Sequence, residues 1–205
     1  MKKLLESIDN VRNSSMGSTI DGRMVEFTSL KSEREIFKEL CFCILTANYS
    51  AEGGIRIQKE INNGFIILSE AELAKKLRTS GYRFPNVRAS FIVEARKHIG
   101  IKSKLDSMKD DNERREWIVK NVKGLGYKEA SHFLRNIGYS DVAIIDFHIV
   151  DLLVGHKLVE KPKTMSKKNY LEIENLLRKI AENVNLNLGE LDLYLWYLET
   201  GKILK

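Results

Sequence analysis

The stretch Val122-Lys123-Gly124-Leu125-Gly126-Tyr127-Lys128-Glu129-Ala130-Ser131-His132-Phe133-Leu134 decides how this chain is read. A helical run ends near Val122, two glycines make a tight turn, and a second helix starts near Tyr127. Glycine is required where φ is positive or where backbone must touch a ligand. Such a turn also leaves several N–H groups free at a helix N-terminus, a place suited to one phosphate. A dinucleotide-binding loop would need a preceding strand and a third glycine where Glu129 stands, so that reading fails. A purely structural αα-hairpin also accounts for these residues.

Outward from the hairpin the pattern stays helical. Ser32-Glu33-Arg34-Glu35 reads as a capping box, in which a hydroxyl covers free N–H groups and the glutamate reaches back. Ile36, Phe37, Leu40, Cys41, Ile44 and Leu45 follow at three-to-four spacing, the stripe of a helix with one buried face. Ser69 with Glu72 repeats the box before a helix through Leu77. Pro85-Asn86 opens another through Ile99, with Gly100 suited to its left-handed end. Asp111 to Val122 is amphipathic, carrying Trp117, Ile118 and Val122. Three more helices are expected, one from near Asp146, one from Lys167 to Val184 and one from Leu188 to Thr200. Val142-Ala143-Ile144-Ile145 is the only strand-like run, and so short a run before a helix reads as a buried extended link. The lysine-rich region from Lys157 to Lys168, with Pro162, reads as an exposed loop. The expected fold class is all-α.

Composition narrows the function classes. The 205 residues allow one large domain or two small ones sharing a core. With 43% hydrophobic and 30% charged residues the chain has an ordinary globular balance, which argues against disorder. No apolar run approaches the roughly 18 residues of a membrane helix, and Met1-Lys2-Lys3-Leu4-Leu5-Glu6 meets a charge too soon for a secretory signal. Cys41 and Cys43 stand two apart on an apolar stretch and cannot by themselves complete a disulfide framework, a zinc site or an iron–sulfur site. A reduced, intracellular setting is expected, with no metal and no cofactor. The balance of 34 basic and 28 acidic residues leaves +6 and a pI near 9.2. That excess suits a polyanionic partner without demanding one.

The hairpin Gly124-Leu125-Gly126-Tyr127-Lys128, with Ile144-Ile145-Asp146-Phe147-His148 after it, resembles the helix–hairpin–helix DNA glycosylase superfamily, named for that motif and its Gly/Pro-rich loop plus an aspartate. Ile44-Leu45-Thr46-Ala47-Asn48 resembles the same family's loop after an early helix, whose amide side chain enters the DNA stack. Lys123 stands where the common motif has a proline, which loosens the turn but changes no reacting group. Within the superfamily the chain is most similar to the short archaeal-type 8-oxoguanine DNA glycosylase/AP lyases, the second Ogg family. The resemblance implies two helical lobes flanking an active-site cleft. One is a helical-barrel lobe over 30–140 ending in the hairpin; the other is discontinuous, 1–29 plus 141–205. It implies Lys128 as the nucleophile and Asp146 as the essential carboxylate. Other branches carry four cysteines after the aspartate; this chain has none there, so no iron–sulfur cluster is expected. A monomer acting on double-stranded DNA containing 8-oxoguanine or abasic sites, in a prokaryotic cytoplasm at the nucleoid, completes the expectation.

The residue types suit that chemistry. Breaking the bond from C1′ to a base builds positive charge on the sugar, which a carboxylate held in a dry pocket stabilises. Asp146 follows an apolar run and opens a helix, so it can equally be a plain N-cap. Lys128 attacks only as the neutral amine, and the positive end of a helix dipole disfavours its ammonium, while a nearby aspartate favours it. Gly124 and Gly126 are candidate phosphate contacts, with Asn48, Phe84 and His148 as further DNA contacts. For Phe84 a buried turn anchor is the rival, and for His148 a packing role. Trp196 is a candidate stacking plane for an extruded base, with core packing as its rival. Lys205, anchored by Ile203 and Leu204, is a candidate base reader through its ammonium and a terminal carboxylate. Two other readings stay open: a glycosylase for another damaged base, and a hairpin module that holds DNA without catalysis.

Overall fold

Polar caps and apolar stripes at helical spacing turn most of the chain into helix. The structure, a computed structural model, describes residues 1–29 and 32–205. The chain order is α1 (Lys2–Arg12), α2 (Ser15–Thr28), α3 (Glu33–Thr46), α4 (Ala51–Ile61), α5 (Gly64–Ile67), α6 (Glu70–Thr79) and α7 (Pro85–Ala95). It continues with α8 (Ile101–Asp106), α9 (Asp111–Asn121), α10 (Tyr127–Asn136), α11 (Phe147–Gly155), α12 (Lys167–Asn183) and α13 (Leu188–Thr200). Among the described residues there is no β-strand, and no helix is long and apolar enough to cross a membrane. The fold is all-α. Two units divide it: a central unit, Leu30–Phe133, and a terminal unit, Met1–Ser29 with Leu134–Lys205. The lobe boundary expected at residue 30 lies outside the described residues.

In the central unit α3 is the spine, packed by α4, α7 and α8, with α6 lying along α7. Both expected capping boxes form, Ser32 with Glu35 at α3 and Ser69 with Glu72 at α6. From Ile36 to Ala47 all residues but Lys38 are buried, which exceeds a one-sided stripe, because helices cover α3 on several sides. Burial pushes the Cys41 thiol well above its usual pKa, so it stays protonated and inert. At Gly54 of α4 a Cβ would come within 2.8 Å of Thr46 and 3.0 Å of Phe42, so glycine lets α4 lie close on α3. α7 ends sooner than the pattern predicts, at Ala95, and Arg96–His98 tightens into a 3-10 turn. There Arg96 donates to the carbonyls of Phe65 and Leu68, and left-handed Gly100 (φ +93°) opens α8 instead of closing α7.

In the terminal unit α1 and α2 pack together and against α13, which α11 and α12 also flank. Leu4, Ile8 and Ile20 are fully buried, each worth about 1.5–3 kcal/mol of transfer free energy. The segment Val142–Ile145 is an extended link with no strand partner, and α12 replaces one. Glu174 accepts from Ala143 N at 2.8 Å, while the Tyr170 hydroxyl donates to Ala143 O at 2.7 Å and accepts from Ile145 N at 3.2 Å. Two side chains thus satisfy backbone groups that a neighbouring strand would otherwise pair.

Candidate active site

The hairpin is built as its glycines require. α9 closes with Val122 N donating to Ile118 O at 2.8 Å, and the chain turns at Gly124, whose φ is +88°. A Cβ there would overlap the Phe91 ring and lie within 3.2 Å of Arg88 Nη1, so both conformation and space demand glycine. Gly126 has an ordinary φ and open surroundings apart from Glu129. Lys123, in place of the motif's proline, sets its Nζ 3.5 Å from Glu94 and 5.3 Å from the Phe91 ring centroid. The turn is therefore tied to α7 by a side chain instead of stiffened by a pyrrolidine ring.

Lys128 lies in the first turn of α10 and is half-buried, with 27% of its side chain exposed. Its Nζ stands 3.2 Å from Glu129 Oε1, and the other oxygen of Glu129 accepts from Gly126 N at 3.3 Å. One hairpin N–H is thus occupied by an internal carboxylate, on the spot where the dipole and free donors favour an anion. The same carboxylate holds the Lys128 ammonium.

Elsewhere in the central unit Asn48 is exposed with φ +64°, a left-handed conformation that asparagine tolerates better than most residues. Its loop is fixed from within. The buried Tyr82 hydroxyl donates to Leu45 O at 2.6 Å, Arg88 Nη2 donates to Ala47 O at 2.8 Å, and the Tyr49 and Tyr82 rings lie 4.7 Å apart. Burial raises the Tyr82 pKa, so the hydroxyl remains a donor. Phe84, before Pro85 at the start of α7, is 41% exposed, with the Arg83 guanidinium 5.0 Å from its ring centroid. It is therefore no buried anchor.

In the terminal unit Asp146 ends the extended link and caps α11, its Oδ1 accepting from Ile149 N at 3.0 Å. It is half-buried, and its second oxygen takes no part in the cap. Phe147, 66% exposed, lies 3.9 Å from the His148 ring, and His148 meets Trp196 of α13 edge-on at 4.8 Å. The packing role weighed for His148 is realised within this row of three rings. Trp196 is half-buried, and its Nε1 is buried without a hydrogen-bond partner. Left-handed Gly201 closes α13, and Ile203, Leu204 and Lys205 beyond it are all half-buried. Among the described residues no group of three or more His, Cys, Asp or Glu is placed to hold a metal ion.

Asn48, Phe84 and Gly124 are brought together around α7, Lys128 and Gly126 meet through Glu129, and His148 and Trp196 share the ring row beside Asp146. Three residues escaped the sequence reading. Glu129 is legible in retrospect: it stands three residues after Gly126, the offset at which Glu35 and Glu72 also fold back. Arg88 carries no such signal, because nothing local says that an arginine is buried. Phe147 gives none either, since an apolar residue after an apolar run reads as core.

Two helical units with a glycine hairpin opening into a lysine-bearing helix, and an aspartate-capped helix beyond it, define a helix–hairpin–helix protein. Residues 20–186 match the profile of Ogg-HhH, described as 8-oxoguanine DNA glycosylase. The chain belongs to that family. It is 54% identical over 204 residues to the 8-oxoguanine DNA glycosylase/AP lyase of Korarchaeum cryptofilum, covering 98% of each chain. Its structure is similar to that of the Methanocaldococcus jannaschii 8-oxoguanine glycosylase/lyase in complex with a 15mer DNA containing 8-oxoguanine. The TM-score there is 0.96 at 55% identity, over 99% of this chain and 100% of that one. The 8-oxoguanine DNA glycosylase of Thermotoga maritima gives a TM-score of 0.92 at 48% identity, over 100% of this chain and 99% of that one.

Proposed function

We propose that this chain is a bifunctional 8-oxoguanine DNA glycosylase/AP lyase acting on duplex DNA in the cytoplasm. The observation that carries this reading is Lys128 at the start of a hairpin helix, in a chain similar end to end to glycosylase/lyases. Extruding the lesion costs a few kcal/mol of unstacking, which contacts to the displaced base and the gap must offset. Asn48 and Phe84 serve the gap, the N–H groups at Gly124 and, once Glu129 turns away, at Gly126 take a backbone phosphate, and His148 contacts DNA beside Asp146. Lys128 Nζ passes a proton to the Glu129 carboxylate 3.2 Å away, attacks C1′ as the free amine and displaces the base, which leaves with the electron pair of the broken bond. The C1′–O4′ bond then opens, O4′ taking up a proton, to give a Schiff base whose C2′ proton is acidic, so β-elimination expels the 3′ phosphate. Asp146 stabilises the positive charge that builds on the sugar as the base departs. Trp196 offers the stacking plane, and Lys205 reads the lesion, which differs from guanine in its C8 oxygen and in an N7 that donates a hydrogen bond.

A panel of duplexes, each with one damaged base, treated with the protein and borohydride tests this directly. Covalent capture and strand cleavage should be strongest for 8-oxoguanine. Preferred capture on another lesion would mean a different base specificity, and no capture on any duplex would leave a DNA-holding module. Deleting Lys205 should raise guanine excision relative to 8-oxoguanine while preserving strand cleavage at abasic sites. An unchanged ratio of the two excision rates would place base reading elsewhere.

A further inference from the structure

We infer that Arg88 is a positioning residue for base extrusion, holding the Asn48 loop and the Phe84 turn in one arrangement from inside the central unit. The inference rests on the reading that Asn48 and Phe84 face DNA, and it concerns opening the duplex, not breaking the glycosidic bond. Arginine is seldom buried without a specific partner, yet Arg88 is only 8% exposed. Its Nη2 donates to Ala47 O at 2.8 Å, one residue before exposed Asn48 with its positive φ. A charge-assisted bond at that carbonyl fixes where the asparagine projects. Its Nη1 lies in the space that a Cβ on Gly124 would crowd at 3.2 Å, beside the Phe91 ring over which the guanidinium lies at 5.5 Å.

Tyr82 completes the cluster, hydrogen-bonding Arg88 and donating to Leu45 O at 2.6 Å. One guanidinium therefore joins the Asn48 loop, through Ala47 O, to the turn from Tyr82 to Phe84, through the Tyr82 hydroxyl, and each bears a candidate DNA contact. None of its hydrogen bonds goes to Lys128 or Glu129. Its Nε is buried without a partner. The geometry assigns Arg88 to the register of the gap-facing parts, leaving the lysine chemistry to other residues.

The test compares two single-turnover rates in one variant. Arg88→Met keeps bulk but removes every donor. It should slow 8-oxoguanine excision from a fully paired duplex about tenfold. Borohydride capture at a preformed abasic site, where no base has to be unstacked, should stay within about twofold of wild type. Arg88→Lys, which keeps a charged donor for Ala47 O, should recover part of the excision rate. Equal losses in both assays would overturn the inference, since damage to fold or chemistry moves both rates, and so would no loss in either. Should Arg88→Met melt below the assay temperature, Tyr82→Phe deletes the one hydroxyl that meets both Arg88 and Leu45 O and must show the same split at smaller size. Failure of the parent reading would be distinct, because wild-type protein would then neither excise nor be captured.

Discussion

At the start of α10 the chain reaches its helix through two glycines, and Glu129 folds back from inside the helix to cover Gly126 N, beside the side chain proposed to react. At the start of α11 a buried link delivers Asp146, and the carboxylate that caps the helix is the one proposed to stabilise the sugar cation. The hairpin end is thus made by backbone conformation, with Lys128 free of any structural duty beyond its ion pair. The α11 end is made by a side chain, and structure and chemistry are combined in it. Substitutions at the two ends should differ accordingly: at Lys128 function and stability separate cleanly, and at Asp146 they separate only if the cap is preserved.

The largest effect tests the first half of that contrast. Lys128→Gln should abolish borohydride capture and strand cleavage while changing stability by less than about 0.5 kcal/mol, as expected of a half-exposed side chain, and with DNA affinity largely retained. Capture that persists undiminished would mean another amine attacks. At α11, Asp146→Asn keeps an oxygen for Ile149 N and removes the charge. Excision should fall by roughly 2.7–4 kcal/mol in barrier terms with little change in melting. A loss below about tenfold would make Asp146 a cap and nothing more. Asp146→Ala should add a stability loss of about 1 kcal/mol, the usual worth of an N-cap. If Asp146→Asn and Asp146→Ala melt together, the contrast between the two helix ends fails on its structural side.

The smallest effects sharpen the hairpin alone. Gly124→Ala meets both a positive φ and the Phe91 ring, and should cost at least about 1–2 kcal/mol in a denaturation midpoint. Gly126→Ala, with an ordinary φ and only Glu129 near, should shift stability by under about 0.5 kcal/mol while weakening DNA binding where backbone and phosphate approach. Equal destabilisation by the two would mean that conformation does not separate them.

Local rules carried the sequence reading furthest where a helix advertises its own ends. The boxes at Ser32 and Ser69, the proline at Pro85, the glycine turn and the cap at Asp146 are each settled within four residues, and all formed. Helices α1, α2, α4, α5 and α8 went unassigned; in α2 and α4, Gly17, Gly22, Gly53 and Gly54 dilute the helical signal and packing restores what propensity withholds. The extended link was recognisable as one, yet nothing in Val142-Ala143-Ile144-Ile145 says that Tyr170 and Glu174 would take its backbone bonds. Lys128, Asp146, Asn48 and the C-terminal residues are candidates through the family resemblance, not through any local rule of folding.

By itself the sequence determined the all-α class, the hairpin, the helix that Asp146 opens and the family, because capping, turn chemistry and motif order are properties of neighbouring residues. Only the tertiary structure decided that Phe84 is exposed, that His148 packs against Trp196, and that Arg88 is buried beneath Asn48 and Gly124. Those outcomes depend on which distant segments meet. An arginine or phenylalanine has no fixed environment until long-range packing supplies its neighbours and its access to water.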